Sequence, residues 1–357
     1  MSAAALPDGF LELPSVVYAA DPGWLPEEPD LLRLLFSDLN PFFETGRAQA
    51  FCVPGAERIA VFARPGLELD GRHAAFFGYW ETTGPVSLLD RAREWACAQG
   101  AEVLVGPINF STLLGNRVLI SSAPGARPFV GEPWNPLDYP KLLAANGFTC
   151  YRRYTSIMLD KSDVGALVAD KAAILDRALA HGYRFDALTP QLWTEDVDGM
   201  LELANAVFAE NVAFTPFTRA EFTSRVIPTL SAVVDPGCSV LARGPRGDIA
   251  GFIFMHPHYA PLCAQSAADR IPVSQLRFDT HASRTPATVV LKTGGTTPAH
   301  RRTGLAHAMV AVVAQRALDA GYDDMIVATM REDNPSRLLF PGYRGEHWYA
   351  MYRTHLG

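Results

Sequence analysis

The chain has 357 residues, with 31 Lys+Arg against 38 Asp+Glu and a formal net charge of -7. It is 48% hydrophobic and 19% charged, a globular composition with room for two domains. The acidic balance excludes a globally basic nucleic-acid binder.

The first nine residues have no basic segment leading into an apolar one, and no apolar run reaches the ~18 residues of a membrane span. A soluble cytoplasmic protein that makes no membrane contact is therefore expected. Cys52, Cys97, Cys150, Cys238 and Cys263 are odd in number and scattered, without C-x-x-C spacing. They are read as reduced, buried thiols, with neither a disulfide framework nor a metal site.

In chain order, the aromatic run 73–80 predicts a strand bounded by glycine. A helix is expected over 88–99, because Leu88, Leu89, Ala92, Trp95 and Ala96 share a face and Gly100 suits its end. A buried strand at 102–105 is stopped by Gly106-Pro107; a helix at 140–145 and a strand at 151–159 follow. A helix at 164–180 leads to a strand at 183–188 and a helix at 192–210. A hairpin of 238–243 with 248–256 turns around Gly244-Pro245-Arg246-Gly247. The β-branched strand 287–293 is expected to break at Gly294-Gly295. A helix at 305–320 ends at Gly321, and a strand at 324–329, a short helical turn at 335–340 and a strand at 347–353 close the chain.

Both halves run strand, helix, strand, helix, Gly-aromatic, strand. Structural duplication is the economical account, with domains at 1–160 and 161–357.

The stretch richest in chemistry is 289–306, VVLKTGGTTPAHRRTGLA. There a strand ends, a turn follows and a helix starts near Gly304. The first N–H groups of a helix lack backbone partners and lie at its positive dipole end, so this is a candidate phosphate site. Arg301 and Arg302 add charge beside it.

Here the chain resembles the GCN5-related N-acetyltransferase (GNAT) superfamily, whose signature is [Q/R]-x-x-G-x-[G/A]; this sequence reads Arg301-Arg302-Thr303-Gly304-Leu305-Ala306, after Pro298. The resemblance implies an α/β (α+β) protein of two tandem GNAT-like domains, each a central mixed, mostly antiparallel sheet flanked by helices. It also implies that Arg301, Arg302, Thr303, Gly304, Leu305 and Ala306 hold the pyrophosphate of acetyl-CoA or another acyl-CoA. The strand end Val290, Leu291 and Lys292 would meet the pantetheine arm, and their backbone would polarise the thioester.

Asp333-Asn334-Pro335-Ser336 and Gly342-Tyr343 resemble a second family segment, in which Asn334 would contact the donor. The family's leaving-group Tyr is replaced by Phe340, so Ser336 or Tyr343 is the substitute acid. The first half has no such motif between Trp80 and Leu88 and is read as degenerate, as in a group of bacterial tandem-GNAT proteins.

For the base, His256 and His258 end one strand, while Asp279 and His281 are placed on the strand before the central one. The Lys292 side chain is read as pointing to solvent, and Tyr79 and Trp80 as core. The leading reading is an N-acyltransferase acting from acyl-CoA on a small-molecule amine. The alternatives are a GNAT-fold transferase using aminoacyl-tRNA, the one nucleic-acid partner considered, with Arg152 and Arg153 on the tRNA, or a non-catalytic ligand-binding protein.

Overall fold

Short-range patterns translate directly into elements wherever apolar periodicity is strong. The computed structural model describes residues 4–112 and 114–357. Its strands in chain order are β1 (Arg47–Val53), β2 (Glu57–Leu69), β3 (Arg72–Thr82), β4 (Val103–Gly106), β5 (Val118–Ser121) and β6 (Thr149–Asp160). The second half adds β7 (Arg184–Ala187), β8 (Val240–Arg243), β9 (Ile249–Pro257), β10 (Thr288–Thr296), β11 (Asp324–Arg331) and β12 (Gly345–His355).

All belong to one 12-stranded sheet in the order β1-β2-β3-β4-β12-β6-β11-β10-β9-β8-β7, with β5 also on β12. The order is nearly a palindrome: β2-β3-β4-β12 answers β9-β10-β11-β6. Each half therefore lends its last strand to the other. β6 pairs with β11, and β12 closes the first half against β4. The junction at 160/161 falls where Asp160 and Asp163 form a capping box opening the helix Lys161–Ala180. The sheet runs on across that junction.

Among the described residues, two strand pairs are parallel. β3 and β4 align from Ala74↔Val103 to Phe76↔Val105, and β10 and β11 from Thr288↔Asp324 to Leu291↔Val327. Past those registers each pair stops pairing as a ladder, which leaves a wedge in each half. The helices Leu88–Ala98 and Leu305–Asp319 connect the parallel pairs.

Val289 and Leu291 pack with Leu305, Met309, Val313 and Ala317 in one core. Val290 points the other way, onto Phe129 and Ala328. Burying each such aliphatic side chain contributes about 1.5–3 kcal/mol.

Several expectations are corrected. Strand β10 does not break at Gly294-Gly295; its pairing with β9 continues to Thr296↔Gly251, because a bulge at Lys292 absorbs the irregularity. The helix expected over 192–210 is two, Pro190–Glu195 and Val197–Phe208, split where the Asp196 backbone leaves helical geometry and its side chain accepts from Gly199 N–H at 2.9 Å. Among the thiols, Cys238 and Cys263 are buried, but Cys97 and Cys150 are exposed and Cys52 is half-buried. No helix among the described residues is long and apolar enough to cross a membrane.

Candidate functional site

The segment between β10 and the helix Leu305–Asp319 is built to present backbone N–H groups. Pro298–His300 is a single 3-10 turn, Arg302 takes φ 62° and Gly304, the N-cap residue, takes φ 86°. The left-handed geometry at Gly304 suits glycine, since any Cβ there is strained and would also lie 3.3 Å from Ile174 Cγ2.

The first ordinary helical bond is Ala308 N–H to Gly304 O, and Leu305 N–H reaches Thr303 Oγ1 at 3.3 Å. Among the described residues, the amides of Arg302, Thr303, Gly304, Ala306 and His307 donate to no protein acceptor. They are half-buried to exposed and lie at the positive end of a 15-residue helix.

Arg301 is tied to Glu210 of the neighbouring helix end, and Arg302 is exposed. His300 anchors the loop from beneath. Its Nε2 lies 2.8 Å from Asp248 Oδ2 and its Nδ1 2.9 Å from the Tyr183 hydroxyl. A carboxylate only accepts, so Nε2 carries a proton. Sequence reading passed over His300, whose role depends on two partners far away in the chain.

The wedge opens beside this loop. Lys292 is skipped by the β9 ladder and lies past the last β11 pair, at the mouth of the wedge. Its side chain does not point into solvent as expected. It is half-buried, donates to Gly131 O at 3.2 Å and lies 5.0 Å from the Phe129 ring centroid. Burial, aided by the Arg117 guanidinium and opposed by Glu132, lowers its pKa to about 8.

The covering segment comes from the first half. Residues 129–132 lie over the wedge, with Phe129 against Val290 and Ala328. Glu132, from the same segment, accepts from Phe129 N–H at 3.0 Å, binds His347 Nδ1 at 2.7 Å and accepts the Tyr349 hydroxyl. His347 and Glu132 have side chains 1% and 0% exposed.

The other sequence candidates scatter. His256 lies on β9 opposite Val290, fully enclosed. Its Nδ1 is 2.7 Å from Pro257 O, which can only accept, so Nε2 holds the lone pair. Burial lowers its pKa to about 3. His258 is held near 4 by burial.

Asp279 and His281 are not on a strand but in the helical turn Phe278–His281, within the connection from β9 to β10. Both are engaged locally: Asp279 accepts from Thr280 Oγ1 at 2.9 Å and His281 Nδ1 from Arg277 N–H at 3.0 Å. Asn334 spends its side chain capping Ser336 N–H at 2.9 Å. Tyr343 is exposed and donates to Glu346 at 3.1 Å. Phe340 is core. Asn334 and Tyr343 line an apolar cleft of about 530 Å³ with Ile157, Met330, Leu338 and Pro341.

The equivalent place in the first half is occupied from within. Glu57 is 1% exposed, and its carboxylate accepts from Ser87 N–H at 2.7 Å, Leu88 N–H at 2.9 Å and Trp80 Nε1–H at 3.1 Å. It sits at the start of the helix Leu88–Ala98, where an external anion would bind. That half's wedge is also stitched shut, by Ile108 N–H to Phe77 O at 2.7 Å and Tyr79 N–H to Asn109 Oδ1 at 2.8 Å. Gly78 permits this, because a Cβ there would collide with Asn109 and Ile108.

No family model matches the chain. A bacterial ceramide synthase from Caulobacter vibrioides is 23% identical over 366 positions, spanning 97% of this chain and 93% of that one. Among solved structures, a conserved protein of unknown function from Enterococcus faecalis V583, described as a probable N-acyltransferase, gives a TM-score of 0.51 at 8% identity. That match covers 100% of this chain and 72% of that one. The GCN5-related glucosamine N-acetyltransferase region of a fungal multi-domain GH3 β-N-acetylglucosaminidase gives 0.50 at 12% identity, over 97% of this chain and 37% of that one. The chain has the GCN5-related N-acetyltransferase fold.

Proposed function

We propose that the chain is an acyltransferase that moves the acyl group of an acyl-CoA to an amine, with its donor site in the second half. The observation that carries this reading is the Arg302–His307 segment, whose unpaired amides surround a left-handed Gly304 at a helix start. One loop with one exposed arginine suits a single pyrophosphate better than the long phosphate backbone of tRNA. The fold supports acyl transfer. The likeness to a ceramide synthase supports an acceptor whose amine sits on a long-chain amino alcohol, because a ceramide is the amide of such a base.

In this reading the pyrophosphate accepts from the amides near Gly304. The pantetheine arm follows β10 into the wedge. The peptide N–H at the Lys292 bulge meets the thioester oxygen, where negative charge grows as the amine attacks. Holding both reactants in the wedge removes much of the entropic barrier.

The test is incubation with acetyl-, lauroyl- or palmitoyl-CoA and a panel of amines that includes a long-chain 2-amino-1,3-diol. Thiol release and product mass are both followed. The reading expects release of free CoA matched by an amine heavier by the acyl group. Release without an acylated amine, or no release with any pair, overturns it.

A further inference from the structure

A fully buried ionisable pair near the wedge is assembled from both halves of the chain. Glu132 belongs to the connection between β5 and β6, and His347 to β12, 215 residues later. Register places His347 opposite Ser156 on β6, and Ser156 Oγ accepts from Thr329 N–H on β11 at 3.0 Å. Thr329 lies just past Val327, where β11 parts from β10. The dyad is therefore two strands, about 10 Å, from the parting point. The segment that holds Glu132 also touches Val290, Ala328 and Lys292 at the wedge itself.

The chemistry of the pair is directional. The carboxylate takes the Nδ1 proton, so in the neutral ring the basic lone pair is on Nε2. That Nε2 has no hydrogen bond among the described residues, yet it is not one of the sealed, unpartnered polar atoms. An imidazole fixed by a carboxylate, with its other nitrogen left free, is the arrangement a proton acceptor needs. Glu132 also satisfies Phe129 N–H and the Tyr349 hydroxyl, but neither contact accounts for an imidazole at 347.

We propose that His347, oriented by Glu132 of the first half, takes the proton released when the acceptor amine attacks the thioester. This inference rests on the acyl-transfer reading above. The neutral amine nitrogen forms a bond to the carbonyl carbon and passes one proton, relayed by water across the intervening gap, to His347 Nε2. The tetrahedral adduct collapses, the C–S bond breaks and the CoA thiolate leaves with the electron pair. The proton on His347 then passes to that thiolate or to solvent, which restores the neutral ring. Glu132 touches neither reactant and acts as a positioning residue. On this account the first half, whose own anion site is filled, is retained because it supplies one member of the second half's dyad.

The decisive variant is His347→Asn, whose amide nitrogen stands near Nδ1 and keeps the Glu132 contact but offers no base. The assay uses palmitoyl-CoA with a long-chain 2-amino-1,3-diol, and with an O-alkyl hydroxylamine that is neutral at the assay pH. We expect turnover with the amino-diol to fall by about 10²–10⁴-fold, the range for removing a positioned base. KM for palmitoyl-CoA should not change, and the deficit should shrink with the hydroxylamine, whose adduct loses its proton readily to water.

Wild-type turnover by a folded His347→Asn protein overturns the inference and leaves the acyl-transfer reading standing. No transfer by the wild-type protein overturns that reading, and the inference with it. If His347→Asn does not fold, Glu132→Gln reads the same step, because it keeps the hydrogen bond but removes the charge. Reduced turnover at unchanged KM supports the proposal, and unchanged turnover contradicts it.

Discussion

The two wedges share a topology and differ in what fills them. At the start of Leu88–Ala98, Glu57 supplies the anion and occupies the helix amides permanently. At the start of Leu305–Asp319, Gly304 takes a left-handed conformation, and five amides between Arg302 and His307, its own included, have no protein partner among the described residues. In the first half Ile108 and Asn109 cross the gap between the parting strands; in the second, the segment 129–132 lies over the gap and presents Glu132. An anion site can therefore be retired without changing the fold, by placing one carboxylate where the phosphate would sit. In the proposed reading, one half binds the donor and the other braces the site.

The largest effect expected from breaking this contrast is at Gly304. A Gly304→Val substitution puts a β-branched residue at φ 86° against Ile174. CoA affinity, measured by calorimetry, should fall by more than about 100-fold, or roughly 2.7 kcal/mol. The strain should also lower stability by about 1–2 kcal/mol. A charge alone is a milder probe, since Asp tolerates this region of backbone space.

Next comes Glu57→Ala, which removes the acceptor shared by Trp80 Nε1–H, Ser87 N–H, the Ser87 hydroxyl and Leu88 N–H. Urea unfolding should show a loss of about 3 kcal/mol. CoA should still bind once per chain, because the stitched wedge remains closed. A second CoA on this variant would show that Glu57 alone silences the first half.

Glu81, which accepts from the Tyr18 and Tyr139 hydroxyls, has its pKa raised from 4.5 to about 7, chiefly by burial. Between those values the folded chain binds more protons than the unfolded chain, so stability falls as pH rises from about 4.5 to about 7 and levels off above. In Glu81→Gln that decline should be shallower. The same slope in both proteins would refute the assignment.

The smallest effect is expected for Arg152→Glu with Arg153→Glu. Strand exchange puts both on β6 beside β11, with Arg153 paired to Glu332 at 3.2 Å. CoA binding should change less than about 2-fold, with a weak salt dependence. A steep salt slope that flattens in the double variant would favour tRNA as donor.

What could be read from sequence was local. The helix at Leu305 and its phosphate-type entry follow from periodicity within twenty residues and from one motif. β1 and β2 escaped notice because Pro65-Gly66 interrupts β2 and hides its alternation. Asp279 and His281 were assigned to a strand on position alone, whereas local hydrogen bonds wind them into a helical turn. The exchange of β6 and β12 leaves no local signature, because either strand would satisfy its own half equally well. The Glu132–His347 pair was invisible for the same reason: tertiary structure alone joins residues so far apart.

The account stands or falls on where the donor binds, and a crystal structure of the protein with CoA tests that most directly. It should show one CoA per chain, with its pyrophosphate on the amides from Arg302 to His307 and its thiol arm entering between β10 and β11. Glu57 should remain bound to Ser87 and Leu88, with no density there. Pyrophosphate density at Ser87 and Leu88, or CoA lodged away from Gly304 in both halves, would contradict the account.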